Sequence, residues 1–419
     1  MTSNYKKLGQ YIQPINIRNR DLEDLPLMGL SINKVFIPSI ANTIGTNMAN
    51  YKIIKRNQFA YGPVTSRNGD KITIALFEDY DKALISQAYI PFEVIDENIL
   101  NPEYLMMWFR RPEFDRYARF KSHGSARETF DWEEMCEVEL PVPSIKKQLE
   151  IVKEYNTVVN RIKLIEQLNQ KLEDTAQALY KHWFVDFEFP NAEGKPYKSS
   201  GGEMVYNEEL DKEIPVGWEV TDLGSLLKDK GYIRGPFGSA LKKDDMVSSG
   251  VPVYEQQHAI YNHRNFRYFI SNEKHRTLQR FSVQPNDLII SCSGTLGKIT
   301  LIKDTDPIGV INQALLILRT DEQKFSPILL YYFLTSSLGN HLLIETAGGS
   351  AQVNIAKREV IQSIPFILAP TKLLNKAKNY LTRCFEEQEL NLRESISLNN
   401  LKDLLLSKMT KVEVEKEII

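Results

Sequence analysis

The strongest pattern along the chain is a recurrence of apolar residues at steps of three or four between Ile145 and about Trp183. Ile145, Leu149, Val152, Tyr155, Val159, Ile162, Ile165, Leu168, Leu172, Ala176, Leu179 and Trp183 share one face, and the positions between them are mostly Lys, Glu, Gln and Asn. This spacing predicts one long amphipathic helix with a narrow stripe, starting after Pro141 and Pro143 because a helix interior does not accept proline. The pattern returns behind Pro370, where Leu374, Ala377, Leu381, Phe385, Leu392, Ile396, Leu401, Leu405 and Met409 form a second stripe interrupted by the polar Gln388. At 1.5 Å per residue each helix runs on the order of 55 Å, longer than the roughly 25–30 Å width of a domain core. The economical arrangement is an antiparallel coiled coil. Its seam joins Leu149, Val152, Val159, Ile162, Leu168, Leu172 and Leu179 to Leu374, Leu381, Phe385, Leu392, Leu401 and Leu405. The alternative is that each helix folds back on its own domain.

Outside the two stripes, short β-type runs such as "FAYG", "ITIALF" and "AYIPFEVI" alternate with turn signals such as Asn68-Gly69, and a helix is predicted at Pro102 to Phe109. That mixture is α+β. It also occurs twice. "NQFAYGPVTSRNGDKIT" (Asn57 to Thr73) corresponds to "NDLIISCSGTLGKIT" (Asn286 to Thr300), and the correspondence continues through "ISQAYIPFEV" with "INQALLILRT" and "LNPEYLMMWF" with "FSPILLYYFL". It ends with "HGSARETF" against "GGSAQVNI" and "VELPVPSIKKQLEIV" against "QSIPFILAPTKLLNKA", the offset drifting only from 229 to 224 residues. A tandem duplication with small loop indels drifts in this way.

The chain therefore divides into a first domain over 1–143, a long helix over 144–186, a linker over 187–213, a second domain over 214–369, a second long helix over 370–411 and a tail over 412–419. The linker assignment rests on the Pro, Gly and Ser punctuation of "EFPNAEGKPYKSSGGEMVYNEELDKEIPVG". The expected architecture is two mixed domains, separated by two long helices forming an antiparallel coiled coil, with a pseudo-two-fold internal repeat.

Composition narrows the function. With 419 residues, 42% hydrophobic and 25% charged, the chain is an ordinary globular protein of two to three domains. No run approaches the ~18 apolar residues of a membrane span and the start is not a signal peptide, so a cytoplasmic location is expected. Cys136, Cys292 and Cys384 are odd in number and far apart, which predicts buried free thiols rather than disulfides or a metal site. The net charge of −2 hides an uneven distribution, for Lys228 to Arg280 contains ten Lys/Arg against five Asp/Glu.

Catalytic motifs are not found. "SCSGTLGKIT" looks like a phosphate loop, but Cys292 and Ile299 stand where a P-loop needs Gly and Ser or Thr. There is no G-x-S-x-G, no G-x-G-x-x-G and no Asn/Asp-Pro-Pro-aromatic methyltransferase motif. No catalytic residue and no metal ligand is assigned.

Recognition chemistry is present instead. "GYIRGPFGSALKKDD" places Arg234, Ser239, Lys242 and Lys243 on a glycine-rich loop, and "VYEQQHAIYNHRNFRYF" interleaves Gln256, Gln257, His258, Asn262, Arg264 and Arg267 with Tyr254, Tyr261 and Tyr268. Arg reads guanine and Gln or Asn reads adenine by paired hydrogen bonds, while Lys and Ser fix phosphates. Ser293 and Thr295 of the lysine loop and Gln352 of "GGSAQVNI" complete the candidates of the second half. In the first half the candidates are Arg18, Arg20, Lys34, Asn47, Lys52, Thr65, Ser66, Arg67, Asn68 and Arg127. The segments outside the shared elements differ between the halves, so two scaffolds of one build are expected to read two different short sequences.

These stretches resemble the DNA specificity subunit of type I restriction-modification enzymes. The resemblance covers nearly the whole chain and is carried by "LPVPSIKKQLEIVKE", "IPVGWEVTDLGSL", "GPFGSALKKDD", "PNDLIISCSGTLGKI" and "LNNLKDLLLSKM". It implies a non-catalytic subunit that binds double-stranded DNA at an asymmetric bipartite site. It further implies that two modification subunits sit on the paired helices and two restriction subunits join them, with S-adenosylmethionine, ATP and magnesium on those partners. The alternatives are a specificity protein serving a fused methyltransferase-nuclease, and a coiled-coil scaffold that binds protein.

Overall fold

The computed structural model describes residues 5–40, 45–66, 68–124, 127–345 and 357–411. The chain divides into two compact units, one made of residues 1–166 with 392–419 and the other of residues 167–391.

In the first unit, β1 (Ile12–Pro14), β2 (Phe59–Tyr61), β3 (Ile74–Leu76) and β4 (Ile90–Val94) form an antiparallel sheet in the order β1-β4-β2-β3. Strands β2 and β3 are buried along their whole length, which is why they read as apolar runs rather than as alternation. Phe59 stacks on Phe92 across the β2–β4 pair at 4.9 Å, and Phe109 meets Phe59 edge-on from helix α1 (Pro102–Arg110). Helix α1 starts where Asn101 accepts a hydrogen bond from the Tyr104 N–H and Pro102 presets the first turn.

The second unit repeats this plan. Strands β5 (Leu227–Arg234), β6 (Asp287–Ser291), β7 (Ile299–Leu301) and β8 (Leu315–Thr320) lie in the order β5-β8-β6-β7. This is the topology of the first sheet strand for strand. A helix behind a proline follows again, at Pro327–Thr335. Asn57 and Asn286, which open the shared motif, both adopt left-handed backbone, at φ 65° and 69°. Asparagine accepts that conformation more readily than other side-chain-bearing residues, which gives the shared asparagine a physical reason.

Each unit carries a second small sheet, and here the copies diverge. Both contain a parallel pair, Leu27–Leu30 with Lys82–Ile85 and Val251–Tyr254 with Val310–Ile311. The first unit adds Lys52–Lys55 beside Lys82–Ile85, whereas the second adds Met246–Val247 at the opposite edge.

The long helices are α2 (Ile145–Phe184) and, counting Pro327–Thr335 as α3, α4 (Thr371–Lys408). In the first unit, Arg161 of α2 makes a two-pronged ion pair with Glu394 of α4 at 2.7 and 2.9 Å. Val152 and Tyr155 share a core with Leu406 and Met409. In the second unit, Asn169 bonds Gln388 and Asn391, and Trp183 packs edge-on against Tyr380. Within each unit the rising number on one helix meets the falling number on the other, so the pairing is antiparallel.

The seam differs from the expected stripe. Val152 and Ile162 are buried, as is Leu381, while Val159, Leu179, Leu374, Phe385 and Leu405 are half-buried against their unit's core. Leu172 and Leu392 are also half-buried. Leu149, Leu168 and Leu401 are corrections, being 50%, 40% and 42% exposed. The reason is that both long helices also pack on the globular cores, α2 through Val152 and Tyr155 in the first unit and Ala176, Tyr180 and Trp183 in the second, α4 through Leu406 and Met409 in the first and Ala377 and Leu381 in the second. A helix that serves two surfaces rotates some of its apolar positions away from both.

The segment expected as a linker carries structure. Met204–Asn207 and Lys212–Pro215 pair as an antiparallel hairpin, and Phe187 and Phe189 pack on Trp218 at 5.4 and 5.3 Å. Of the thiols, Cys292 is buried while Cys136 and Cys384 are half-buried.

Candidate nucleic-acid interface

In the second unit the polar segment after Val251–Tyr254 begins with a short helix, Gln256–Tyr261, which ends on Asn262 in left-handed conformation. His258 holds this helix to the strand that follows. Its Nδ1 accepts from the Glu255 N–H at 2.8 Å and its Nε2 donates to the Asn265 carbonyl at 3.0 Å, so the ring is held neutral in one tautomer. The ring stacks on Phe266 at 4.6 Å, and burial lowers its pKa from the ordinary histidine value. Tyr254 is buried beneath, donating its hydroxyl to the Pro307 carbonyl at 2.7 Å.

The lysine loop closes on itself. The Gly297 N–H donates to the Ser291 carbonyl at 3.0 Å and the Lys298 N–H to the Ser291 hydroxyl at 2.9 Å, while that hydroxyl donates to the Thr295 carbonyl at 2.6 Å. The amides that a phosphate loop turns outward are here used inside the bend. Gln256 ties the short helix to this loop, donating to the carbonyls of Ser293 and Thr295 and accepting from the Ser293 hydroxyl at 3.2 Å. The structure thus brings Gln256, Ser293 and Thr295 together from segments about forty positions apart. Burial pushes the neighbouring Cys292 thiol up to about 12, which makes it an inert core group.

The remaining candidates of this unit fall into two sets. Lys242 and Lys243 are exposed, and Arg234 lies over the ring of Phe237 at 6.0 Å. Arg267 is spread over Tyr268 at 4.9 Å and pairs with Glu255, whose other oxygen takes Gln257 at 3.1 Å. Arg264 is more deeply committed, bonding Asp306 at 2.7 Å and the His263 carbonyl at 3.0 Å.

In the first unit, Arg18 and Arg20 are exposed, Arg18 donating to the Asn50 carbonyl at 3.2 Å. Asn47 caps a one-turn helix by accepting from the Ala49 N–H, and Lys52 donates to the Tyr89 carbonyl at 2.7 Å. Ser66 and Arg127 are exposed, and Asn68 donates to the Val64 carbonyl at 3.2 Å.

Four candidates are corrected by burial. Lys34 is buried, paired with Asp115 at 2.8 Å and donating to the Phe109 carbonyl; Thr65 is buried and bonds Ser122 at 2.9 Å. Tyr254 and His258 are buried and held as described. A buried polar group already satisfied within the protein gains little by turning to a base, so these four build the surface and do not present it. Arg67 and Gln352 lie outside the described residues, as does the Ser239 side chain. Two aromatic residues are strongly exposed, Tyr261 of the polar segment at 70% and Phe237, which is not among the candidates, at 63%. An aromatic residue flanked by glycine and proline or by polar residues was the only sequence signal for them. Among the described residues no group of His, Cys, Asp or Glu is placed to hold a metal ion, and no helix is long and apolar enough to cross a membrane.

Comparison with known proteins shows what the chain is similar to. Residues 30–174 match the model of the type I restriction modification DNA specificity domain. The type I restriction enzyme HindI specificity subunit of Haemophilus influenzae is 22% identical over 420 residues, covering 87% of this chain and 88% of its own length. This chain is similar to type I restriction specificity subunits over these stretches. The MjaIX specificity subunit of Methanocaldococcus jannaschii is 31% identical over 205 residues, and the match spans 45% of each chain, so the chain covers under half the length of that curated specificity subunit. The crystal structure of the type I restriction-modification S subunit from M. genitalium has the same fold as this chain. The two superpose at a TM-score of 0.57 with 14% identity, covering 98% of this chain and 96% of the other.

Proposed function

We propose that the chain is the DNA sequence-specificity component of a type I restriction-modification complex, reading an asymmetric target split into two parts. The observation that carries this reading is the repeated sheet. Two units share one strand order in the main sheet and a proline-led helix after it, yet differ in the edge strands and in the segments that present polar side chains. Repeating a scaffold while varying its exposed loops is what reading two unlike sequences requires, because base readout lies in exposed side chains and not in the core.

In this reading the chain performs no chemistry. Two modification subunits held on α2 and α4 methylate adenine with S-adenosylmethionine, and two restriction subunits bring ATP and magnesium. Exposed Lys242, Lys243, Arg18 and Arg20 supply phosphate contacts, and Gln256, Ser293 and Thr295 lie nearest to a base-reading role in the second unit.

Methylome sequencing of a host with and without this gene tests the proposal. A split methylated motif that disappears with the gene is expected, together with copurification of separate methyltransferase and translocase chains. Copurification of one fused methyltransferase-nuclease chain moves the protein to that system instead. Complexes whose DNA binding does not weaken between 50 and 200 mM salt (about three orders of magnitude are expected for six or more phosphate contacts) sink the reading and favour a protein-binding scaffold.

A further inference from the structure

Glu389 is a buried carboxylate on α4, close behind the exposed Glu386 and Glu387. Within the second unit its two oxygens are used separately. Oε1 accepts from the Asn262 side chain at 3.1 Å, and Oε2 pairs with the Lys303 ammonium. Asn262 is the left-handed residue that ends the short helix Gln256–Tyr261, and its own carbonyl oxygen accepts from the Thr300 hydroxyl. Lys303 belongs to the turn after β7, where its N–H donates to Asp306 at 3.0 Å, and the same Asp306 oxygen holds Arg264 at 2.7 Å.

These contacts form one connected network running from the long helix to the Asn262–Arg264 end of the polar segment Gln256–Arg264. A buried charge is tolerated only when paired, and the Glu389 carboxylate has a partner on each oxygen. Asn262 sits where the short helix stops, so its bond to Glu389 ties the end of Gln256–Tyr261 to α4.

In the first unit the comparable contact of the long helix is made to α1, where Asn156 of α2 donates to Glu103 at 2.6 Å. The two copies therefore attach their candidate reading segments differently.

We infer that Glu389 is a positioning residue that sets the orientation of the Gln256–Arg267 segment on α4, and thereby the discrimination of the half-site that the second unit reads. The inference rests on the proposed DNA-reading function for its consequence, but not for its structural part.

Two measurements on the full chain with its copurifying partners test it. Hydrogen exchange followed by mass spectrometry reads the segment directly. In Glu389→Gln, which keeps the shape and loses the charge on Lys303, amides of Gln256–Arg267 are expected to exchange about 10-fold faster, with the sheet strands β6 and β8 unchanged. Methylation of a library of single-mismatch targets reads the consequence. Discrimination at one half-site is expected to fall by about 10-fold, the scale of one base contact, with the other half-site within about 2-fold of wild type. The charge-reversed pair Glu389→Lys with Lys303→Glu is expected to recover part of both.

Unchanged exchange in Glu389→Gln overturns the inference, and so does equal loss at both half-sites accompanied by faster exchange throughout the unit, which marks a merely structural role. If wild type itself reads no split target, the functional proposal has failed, and the exchange result alone still decides whether Glu389 holds the segment.

Discussion

The side chains of Asn169 and Asn391 meet amide to amide at 2.8 Å between the two long helices, with Gln388 donating to the Asn169 carbonyl at 3.2 Å beside them. A polar contact in an otherwise apolar seam costs stability and fixes register, because only one alignment of the helices satisfies both amides.

Replacing one member takes this hydrogen bond from the other, the buried Asn391 or the half-buried Asn169. Asn391→Leu is expected to destabilise by about 1–3 kcal/mol, whereas the double replacement Asn169→Leu with Asn391→Leu recovers much of it. Urea unfolding of the three variants checks this. A double variant no better than the sum of its singles refutes the argument.

Asp287 and Arg319 face each other across β6 and β8, joined by bonds of 2.7 and 2.8 Å, with Arg319 also reaching the Ser282 carbonyl. Burial raises the Asp287 pKa even against this partner. At the matching place in the first unit Gln58 donates to Glu93 at 2.9 Å, so the duplication kept a polar cross-strand pair and changed its charges. Arg319→Leu strands a buried carboxylate and is expected to cost about 3–5 kcal/mol, while Asp287→Asn with Arg319→Gln costs less. Equal melting temperatures for the two variants contradict this.

His258 and His263 both have pKa values lowered by burial, His258 the more deeply enclosed, with Glu255, His263 and Arg264 as its charged neighbours. The folded state keeps the ring neutral and the unfolded state takes up a proton. Acid therefore favours unfolding, and stability is full above about pH 6.5 and declines as pH falls below it toward the folded pKa. Denaturant unfolding between pH 5 and 7.5 is expected to show this slope in wild type and a flatter one in His258→Gln. Identical slopes count against a neutral buried ring.

Arg161 and Glu394 form an exposed bidentate pair, in which the guanidinium holds the Glu394 carboxyl below its usual range. Because the folded pKa is depressed, the stabilisation is present above the unfolded carboxylate value of about 4.3 and is lost as pH falls through the folded value. The difference in melting temperature between wild type and Glu394→Gln is expected to be small, to shrink below about pH 4 and to shrink with added salt. A difference that persists at pH 3 rules out the ion pair as its source.

Lys242 and Lys243 lie exposed, the Lys242 N–H capped by Asp245 at 2.7 Å. Replacing either by alanine is expected to weaken DNA binding similarly for all sequences and to reduce the salt slope by about 1. Gln256→Ala is expected instead to change which sequences bind. Mobility shifts on matched and mismatched duplexes distinguish these outcomes, and a sequence-dependent effect of Lys243→Ala speaks against a phosphate contact.

Much of the architecture was present in the order of residues alone. Steps of three and four predicted α2 and α4, because a helix face is a local property that neighbouring residues determine. Similarity between Asn57 to Thr73 and Asn286 to Thr300 revealed the duplication, and the left-handed asparagines at its start explain why that residue recurs. Burial of individual polar side chains was different. Tyr254, His258, Lys34 and Thr65 look like recognition residues in a polar segment, and only the packing of strands and loops around them turns them inward. The same holds for Glu389, whose partners Lys303 and Asn262 stand 86 and 127 positions away. Periodicity reports which side of an element a residue occupies, whereas which distant group meets it is settled by how the elements pack, since a buried charge finds its partner only once the chain between them has folded.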